Sequence, residues 1–262
     1  MDNKKRIGTC VTCGRTNIEV TDDHVPPQNI FPKPRPDNMI EVPGCDYCNN
    51  GSSILDDRFG IYLNMASVAS SATAAKVFKN HTIKRIKSNK KLLRHIKSGL
   101  ESNYITTEKG ITHHNGDRLL WDSKCYDATI ERTIRGFYWR HYNEILGDKA
   151  SVKVAMFRTI PPELSAGFGL CSHNEIGKKG DLVYKYLRDP DNPLNSMWLL
   201  VFNRRVIAFG TTKPHNLFEK YLYRFRLQFR IFAFTLKKSI KSRLKSFRKS
   251  RVASVTGRDN RN

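Results

Sequence analysis

The sequence predicts an α+β protein: a zinc-stapled N-terminal module, a basic α+β domain built on an antiparallel sheet, and a basic tail. Three observations predict it. Two C-x-x-C pairs, Cys10/Cys13 and Cys45/Cys48, bracket a proline-rich stretch too short to bury a core of its own. Apolar residues then recur at helical spacing through a run of lysines and arginines. Beyond residue 150, short β-branched and aromatic runs are separated by turn residues, the pattern of antiparallel strands. The expected boundaries are 8–60 for the module, 61–236 for the basic domain and 237–262 for the basic helix or tail.

Five of the eleven prolines fall between Pro26 and Pro36, and Asp37-Asn38 and Gly44 add turn residues, so 8–60 reads as loops with short strands. Ser53 to Ala75 turns small and apolar and reads as helix. Residues 76–97 hold nine Lys or Arg and no acid. Ile83, Ile86, Leu93, Ile96 and Leu100 give that stretch one apolar stripe, so one amphipathic helix with a cationic face is expected. Thr106 to Trp121 reads as a hairpin turning at Asn115-Gly116.

Asp127 to Leu146 reads as a helix with Ile130, Ile134, Phe137 and Tyr138 on one side. Val152–Phe157, Leu182–Leu187, Trp198–Phe202 and Val206–Phe209 read as strands, the last two forming a hairpin at Asn203-Arg204. Tyr223 to Ile231 alternates apolar residues with Arg224, Arg226, Gln228 and Arg230. That period of two favours a strand with an arginine comb over a basic amphipathic helix. Lys237 to Asn262 carries ten Lys or Arg and one acid, and reads as a helix fraying into a tail.

Composition narrows the partners. Lys plus Arg number 46 against 24 Asp plus Glu, a formal charge of +22. Self-repulsion on that scale opposes compaction, so a polyanion is the expected partner: nucleic acid, or an anionic membrane surface. The hydrophobic fraction of 39% excludes global disorder. No apolar run follows the basic N terminus, and none approaches the ~18 uncharged residues a spanning helix needs. A cytoplasmic location with reduced thiols is therefore expected, which favours metal ligation over disulfides. The two C-x-x-C pairs supply four thiolates for a closed tetrahedral Zn²⁺ site at Cys10, Cys13, Cys45 and Cys48. Four buried or incidental cysteines are one other reading and a thioredoxin-like redox pair a second, and two pairs outside a βαβ pattern argue against the latter.

Between and after the pairs lie Asp22-Asp23-His24, Asn38 and Asn49. Taken singly these are turn acids, a structural histidine and turn amides. Together they resemble the HNH nuclease family, in particular its four-cysteine subgroup, through an acid-His dipeptide, an Asn on the hairpin and an Asn opening a helix. The resemblance covers residues 8 to about 60. It implies a ββα-metal fold with the helix starting near Asn49, and a metal-dependent endonuclease acting on nucleic acid, with double-stranded DNA the expected substrate. A setting in prokaryotic defence or mobile-element biology goes with it. It further implies Asp23 and Asn49 as oxygen ligands of a catalytic Mg²⁺ or similar divalent ion, His24 as general base, and Asn38 as the residue pinning the His24 loop.

The sequence departs from the family where a lysine often accompanies the metal-site Asn: Ser52 and Ser53 stand there. Phosphate contacts then fall to Lys33, Arg35 or Arg58, with Arg224, Arg226 and Arg230 adding to them from the comb. Two other functions fit the composition: a zinc-stabilised DNA-binding protein without activity, and a membrane-surface protein using the basic 217–250 segment.

Overall fold

In the computed structural model the described residues are 5–214, apart from 109, 158, 170, 172 and 179. The chain divides into two units. One comprises residues 1–160 and 171–215; the other comprises 161–170 and 216–262, and its described part is the short helix α6, Pro162–Phe168. The arginine comb and the basic tail lie outside the described residues.

The first unit begins with β1 (Arg6–Gly8), β2 (Ile18–Val25) and β3 (Ile40–Cys45), an antiparallel three-stranded sheet in that order. The register sets Val20 opposite Cys45, Asp23 opposite Val42 and His24 opposite Glu41. α1 follows without a gap over Asp46–Ser67. It therefore starts one turn earlier than expected, and the expected module boundary at residue 60 falls inside it.

The cationic stretch is not one helix. It is α2 (Ala72–Val77), a π-turn through 78–82, α3 (Ile83–Ser88) and α4 (Lys90–Ser98). Asn89 breaks it: its backbone is extended, and its side chain accepts from the Leu92 N–H, so it caps α4 and ends α3. β4 (Leu100–Thr106) and β5 (Thr112–Leu119) form a hairpin, but it begins at Leu100 instead of Thr106, its turn lies between Thr106 and Thr112, and Asn115-Gly116 sits within β5. Gly110 takes φ +78° there, and Thr107 Oγ1 accepts from the Ile111 N–H, which closes the turn.

α5 (Ser123–Tyr142) is capped by Asp122 and ends at Asn143 in the left-handed conformation. The larger sheet contains β6 (Ala150–Phe157), β7 (Asn174–Ile176), β8 (Leu182–Arg188), β9 (Ser196–Phe202) and β10 (Val206–Pro214). All its pairs are antiparallel, in the order β6-β10-β9-β8-β7. Asn203 and Arg204 both have positive φ, so the β9–β10 connection is a type I′ turn.

α5 lies between the small hairpin and the large sheet. Gly136 lets Val25 of β2 approach so closely that a Cβ there would fall 2.3 Å from its methyl, and Gly210 of β10 receives Ile134 in the same way at 2.1 Å. Val25, Ile40, Val42, Phe59, Ile134, Phe137, Trp198 and Phe202 consequently share one hydrophobic core. The N-terminal hairpin shares that core instead of standing on zinc alone.

Candidate functional site

The four expected thiols converge. Cys10 and Cys13 occupy the turn between β1 and β2, Cys45 ends β3, and Cys48 lies in the first turn of α1. The Cys10 N–H donates to the Arg15 carbonyl at 3.0 Å and the Gly14 N–H to the Cys10 carbonyl at 2.8 Å, which curls the first pair. Gly14 takes φ +75° and packs against Gly147, where a side chain would meet backbone at 2.8 Å.

All four Sγ atoms lie within 4.8 Å of one another, with Cys13 and Cys45 at 3.9 Å. Tetrahedral zinc with bonds of ~2.3 Å separates its thiolates by roughly 3.8 Å, so the cluster is dimensioned for zinc. The thiols are crowded: a hydrogen bond with Cys48 holds the Cys10 thiol below its ordinary value and raises Cys48. Arg15, absent from the sequence reading, donates to Cys13 Sγ at 3.3 Å and to Cys45 Sγ at 3.6 Å, offsetting thiolate charge from outside.

Beside this cluster a cavity of about 1440 Å³ opens on the hairpin and α1. Asp23, His24 and Asn49 all line it. Its other walls come from the loop between β2 and β3, from the α3–α4 break with Arg85, Asn89 and Lys91, and from Arg132 of α5.

Strand alternation sends Asp23 and His24 to opposite faces of β2. Asp23 is 5% exposed and Gly44 makes room for it, since a Cβ at 44 would stand 2.8 Å from the Asp23 Cβ. Its Oδ2 accepts no hydrogen bond and lies 3.6 Å from Arg132 Nη1. Burial pushes its carboxyl up from 3.8 to about 6, against the pull of Arg132 and with the Asp56 charge adding to the rise.

His24 sits with its Nε2 3.0 Å from Glu41 Oε1 across the strand pair. The Gln28 amide nitrogen stands 2.7 Å from its Nδ1 and 3.1 Å from its Nε2. An amide N–H donating to Nδ1 requires that nitrogen to carry a lone pair, which leaves the ring hydrogen on Nε2 facing Glu41.

Beneath these residues is a network that the sequence did not announce. Arg132 donates to Asp56, to Ser52 Oγ and, at 3.5 Å, to the Cys48 carbonyl. Asp56 also accepts from Thr129 Oγ1 at 3.0 Å and Ser52 Oγ at 3.0 Å. Arg132 therefore ties the thiol cluster, α1 and Asp23 together from 5% exposure. Ser52, which stands where the family's lysine was expected, serves this network.

Other expected site residues lie elsewhere. Asn38 does not pin the His24 loop: its amide donates to the Glu175 carbonyl at 3.0 Å and accepts from the Gly177 N–H at 3.0 Å. Lys33 is exposed and does not line the cavity, whereas Arg35 and Arg58 do. Arg58 is already paired with Asp122 at 3.0 Å. Arg224, Arg226 and Arg230 lie outside the described residues. Three of the scattered histidines have structural partners: His95 with Asp122, His173 with Glu175, and His141 between the Tyr184 and Tyr186 hydroxyls.

Among the described residues no helix is long and apolar enough to cross a membrane. No protein-family model matches the chain, and neither a curated protein nor a solved structure does.

Proposed function

We propose that this chain is a metal-dependent endonuclease of the HNH type, hydrolysing phosphodiester bonds of nucleic acid, with DNA as substrate. One observation carries the reading: Asp23, His24 and Asn49 line one cavity, on a hairpin and helix whose junctions hold four convergent thiols. Zinc at Cys10, Cys13, Cys45 and Cys48 fixes that frame.

A hard divalent ion such as Mg²⁺ fits the cavity. Asp23 Oδ2 is a buried carboxylate oxygen without a hydrogen-bond donor, and the Asn49 amide offers a second oxygen. Asp23 and Asn49 would hold the ion, which supplies charge stabilisation for the phosphoryl and leaving oxygens. The chain's own groups do the rest. Nδ1 of His24 takes a proton from the attacking water as the Gln28 amide gives way. Glu41, facing Nε2–H, holds the ring in that tautomer and stabilises the imidazolium that forms. Arg132 keeps Asp23 in place from below and lowers the cost of its ionisation.

The test is nicking of supercoiled plasmid by the zinc-loaded protein with added Mg²⁺, for wild type and His24→Ala. Loss of a general base predicts a fall of about 10²–10⁴-fold in rate. Equal nicking by both proteins would move the chemistry away from this cavity. The second reading, a zinc-stabilised DNA-binding protein without activity, draws on the guanidinium of Arg132 standing 3.6 Å from Asp23, a resident cation beside the carboxylate. Retention of DNA with no nicking by either protein would select it.

A further inference from the structure

The guanidiniums around the cavity differ in one respect. Arg58 is paired with Asp122, Arg85 with Asp57, and Arg132 with Asp56 and Asp23. Arg35 has no carboxylate partner among the described residues. Its Nη1 donates to the Phe31 carbonyl, and its Nε is buried without a hydrogen-bond partner. The charge is thus carried into a half-buried position with no carboxylate to offset it among the described residues, and burial lowers its pKa. Such a group destabilises the free protein, which is the mark of a residue retained for a ligand. The loop that carries it is stiffened by Pro32, Pro34 and Pro36, so little backbone freedom remains to be lost on binding. Lys91, exposed in the first turn of α4 after the Asn89 cap, lines the same cavity.

We propose that Arg35 is the phosphate fork of this cavity, holding the DNA backbone beside the bond to be cut, with Lys91 of the same lining adding a point charge. The proposal rests on the nuclease reading for the identity of the anion. A guanidinium matches a phosphate with two parallel hydrogen bonds, which a lysine cannot reproduce. This also separates the basic residues of the proline-rich loop: Lys33, outside the cavity, contributes only to the general field.

The experiment measures binding of a short fluorescein-labelled DNA duplex by anisotropy across a salt series, without added Mg²⁺. Wild type is compared with Arg35→Met, Arg35→Lys and Lys33→Met, and each variant's Tm is recorded. Arg35→Met is expected to weaken binding about tenfold to a hundredfold, the worth of a charge-assisted hydrogen-bonded pair. It should also flatten the salt slope by about one and leave Tm unchanged or raised. Arg35→Lys, which keeps charge and fold, should fall between. Lys33→Met removes the same charge two residues away and should bind nearly as wild type.

Equal losses for Arg35→Met and Lys33→Met would reduce the effect to net charge and overturn the proposal. So would wild-type affinity in Arg35→Lys together with a Tm loss in Arg35→Met, which would make Arg35 structural. Arg35-dependent binding without nicking would fail the nuclease reading and spare this one. Mg²⁺-dependent nicking and binding indifferent to Arg35→Met would do the reverse.

Discussion

Replacing Arg132 with methionine removes a side chain that joins the Cys48 carbonyl to the cavity floor. Two carboxylates would remain beneath the cavity: Asp23, 5% exposed, and Asp56, 8% exposed. Removing one partner of a buried ion pair costs about 3–5 kcal/mol, because the surviving charge cannot be rehydrated. For a fold of about 150–250 residues each kcal/mol moves Tm by roughly 2–4 °C, so a drop on the order of 6–20 °C is expected.

Burial, not distance, sets this cost. Arg6 and Asp22 approach to 2.6 Å, but Arg6 is exposed and Asp22 only half-buried. Arg6→Met should therefore cost about 1 kcal/mol or less. The assay is thermal denaturation followed by circular dichroism at pH 7, repeated at pH 5. Carboxylates left unpaired have folded pKa values above their unfolded ones, so they bind more protons when folded. The deficit of Arg132→Met should accordingly shrink as pH falls, and Arg132→Met/Asp56→Asn should recover part of it. An Arg132→Met protein within about 1 kcal/mol of wild type, at both pH values, would refute this account of the cavity floor.

Three further outcomes follow from the same geometry. The Asp23 pKa, raised from 3.8 to about 6, corresponds to on the order of 3 kcal/mol of destabilisation once the group is ionised. That penalty is absent below about pH 4 and complete above about pH 6, so Asp23→Asn should raise Tm at pH 7 and leave it unchanged at pH 4. Cys45→Ser should release zinc and melt the β2–β3 hairpin, measured by metal analysis and hydrogen exchange; retained zinc at wild-type stoichiometry would count against the four-thiolate set. Glu41→Gln should lower the nicking rate with little change in DNA affinity, since it weakens stabilisation of the His24 imidazolium and touches no phosphate; a matching loss of affinity would contradict its role.

What was legible in the sequence was local. The C-x-x-C pairs announce their own cluster, because two residues between thiols suit one knuckle. Four of the five described strands from residue 150 onward, and the Asn203-Arg204 turn, follow from side-chain type and short range, whereas the three-residue β7 did not show in the sequence. The misread elements failed for equally local reasons. Asn115-Gly116 has the composition of a hairpin turn, but Gly110 with its positive φ and Thr107 with its hydroxyl take that role. The apolar stripe of residues 83–100 continues across Asn89 although the backbone does not, since capping outweighs periodicity at a single residue.

The cavity floor was illegible because its partners are remote in sequence. Arg132 meets Asp56 across 76 residues and Cys48 across 84. Nothing in the vicinity of Arg132 marks it as other than a helix-surface charge. Asn38 shows the opposite failure: the motif fits, while the side chain pairs with backbone 137 and 139 residues further on. The three-stranded hairpin sheet lacks sufficient apolar surface of its own, and that is why it draws on α5 and the large sheet.

On the proposed reading, an ion held by Asp23 and Asn49 meets a DNA phosphate in the cavity that His24 lines. Crystals of the His24→Ala protein grown with a DNA duplex and Mn²⁺ would test it through the anomalous signal of the metal. A Mn²⁺ peak is expected at roughly 2.1 Å from Asp23 and Asn49 oxygens and from a DNA phosphate oxygen. Mn²⁺ bound elsewhere, with Asp23 still facing Arg132 alone, would contradict it.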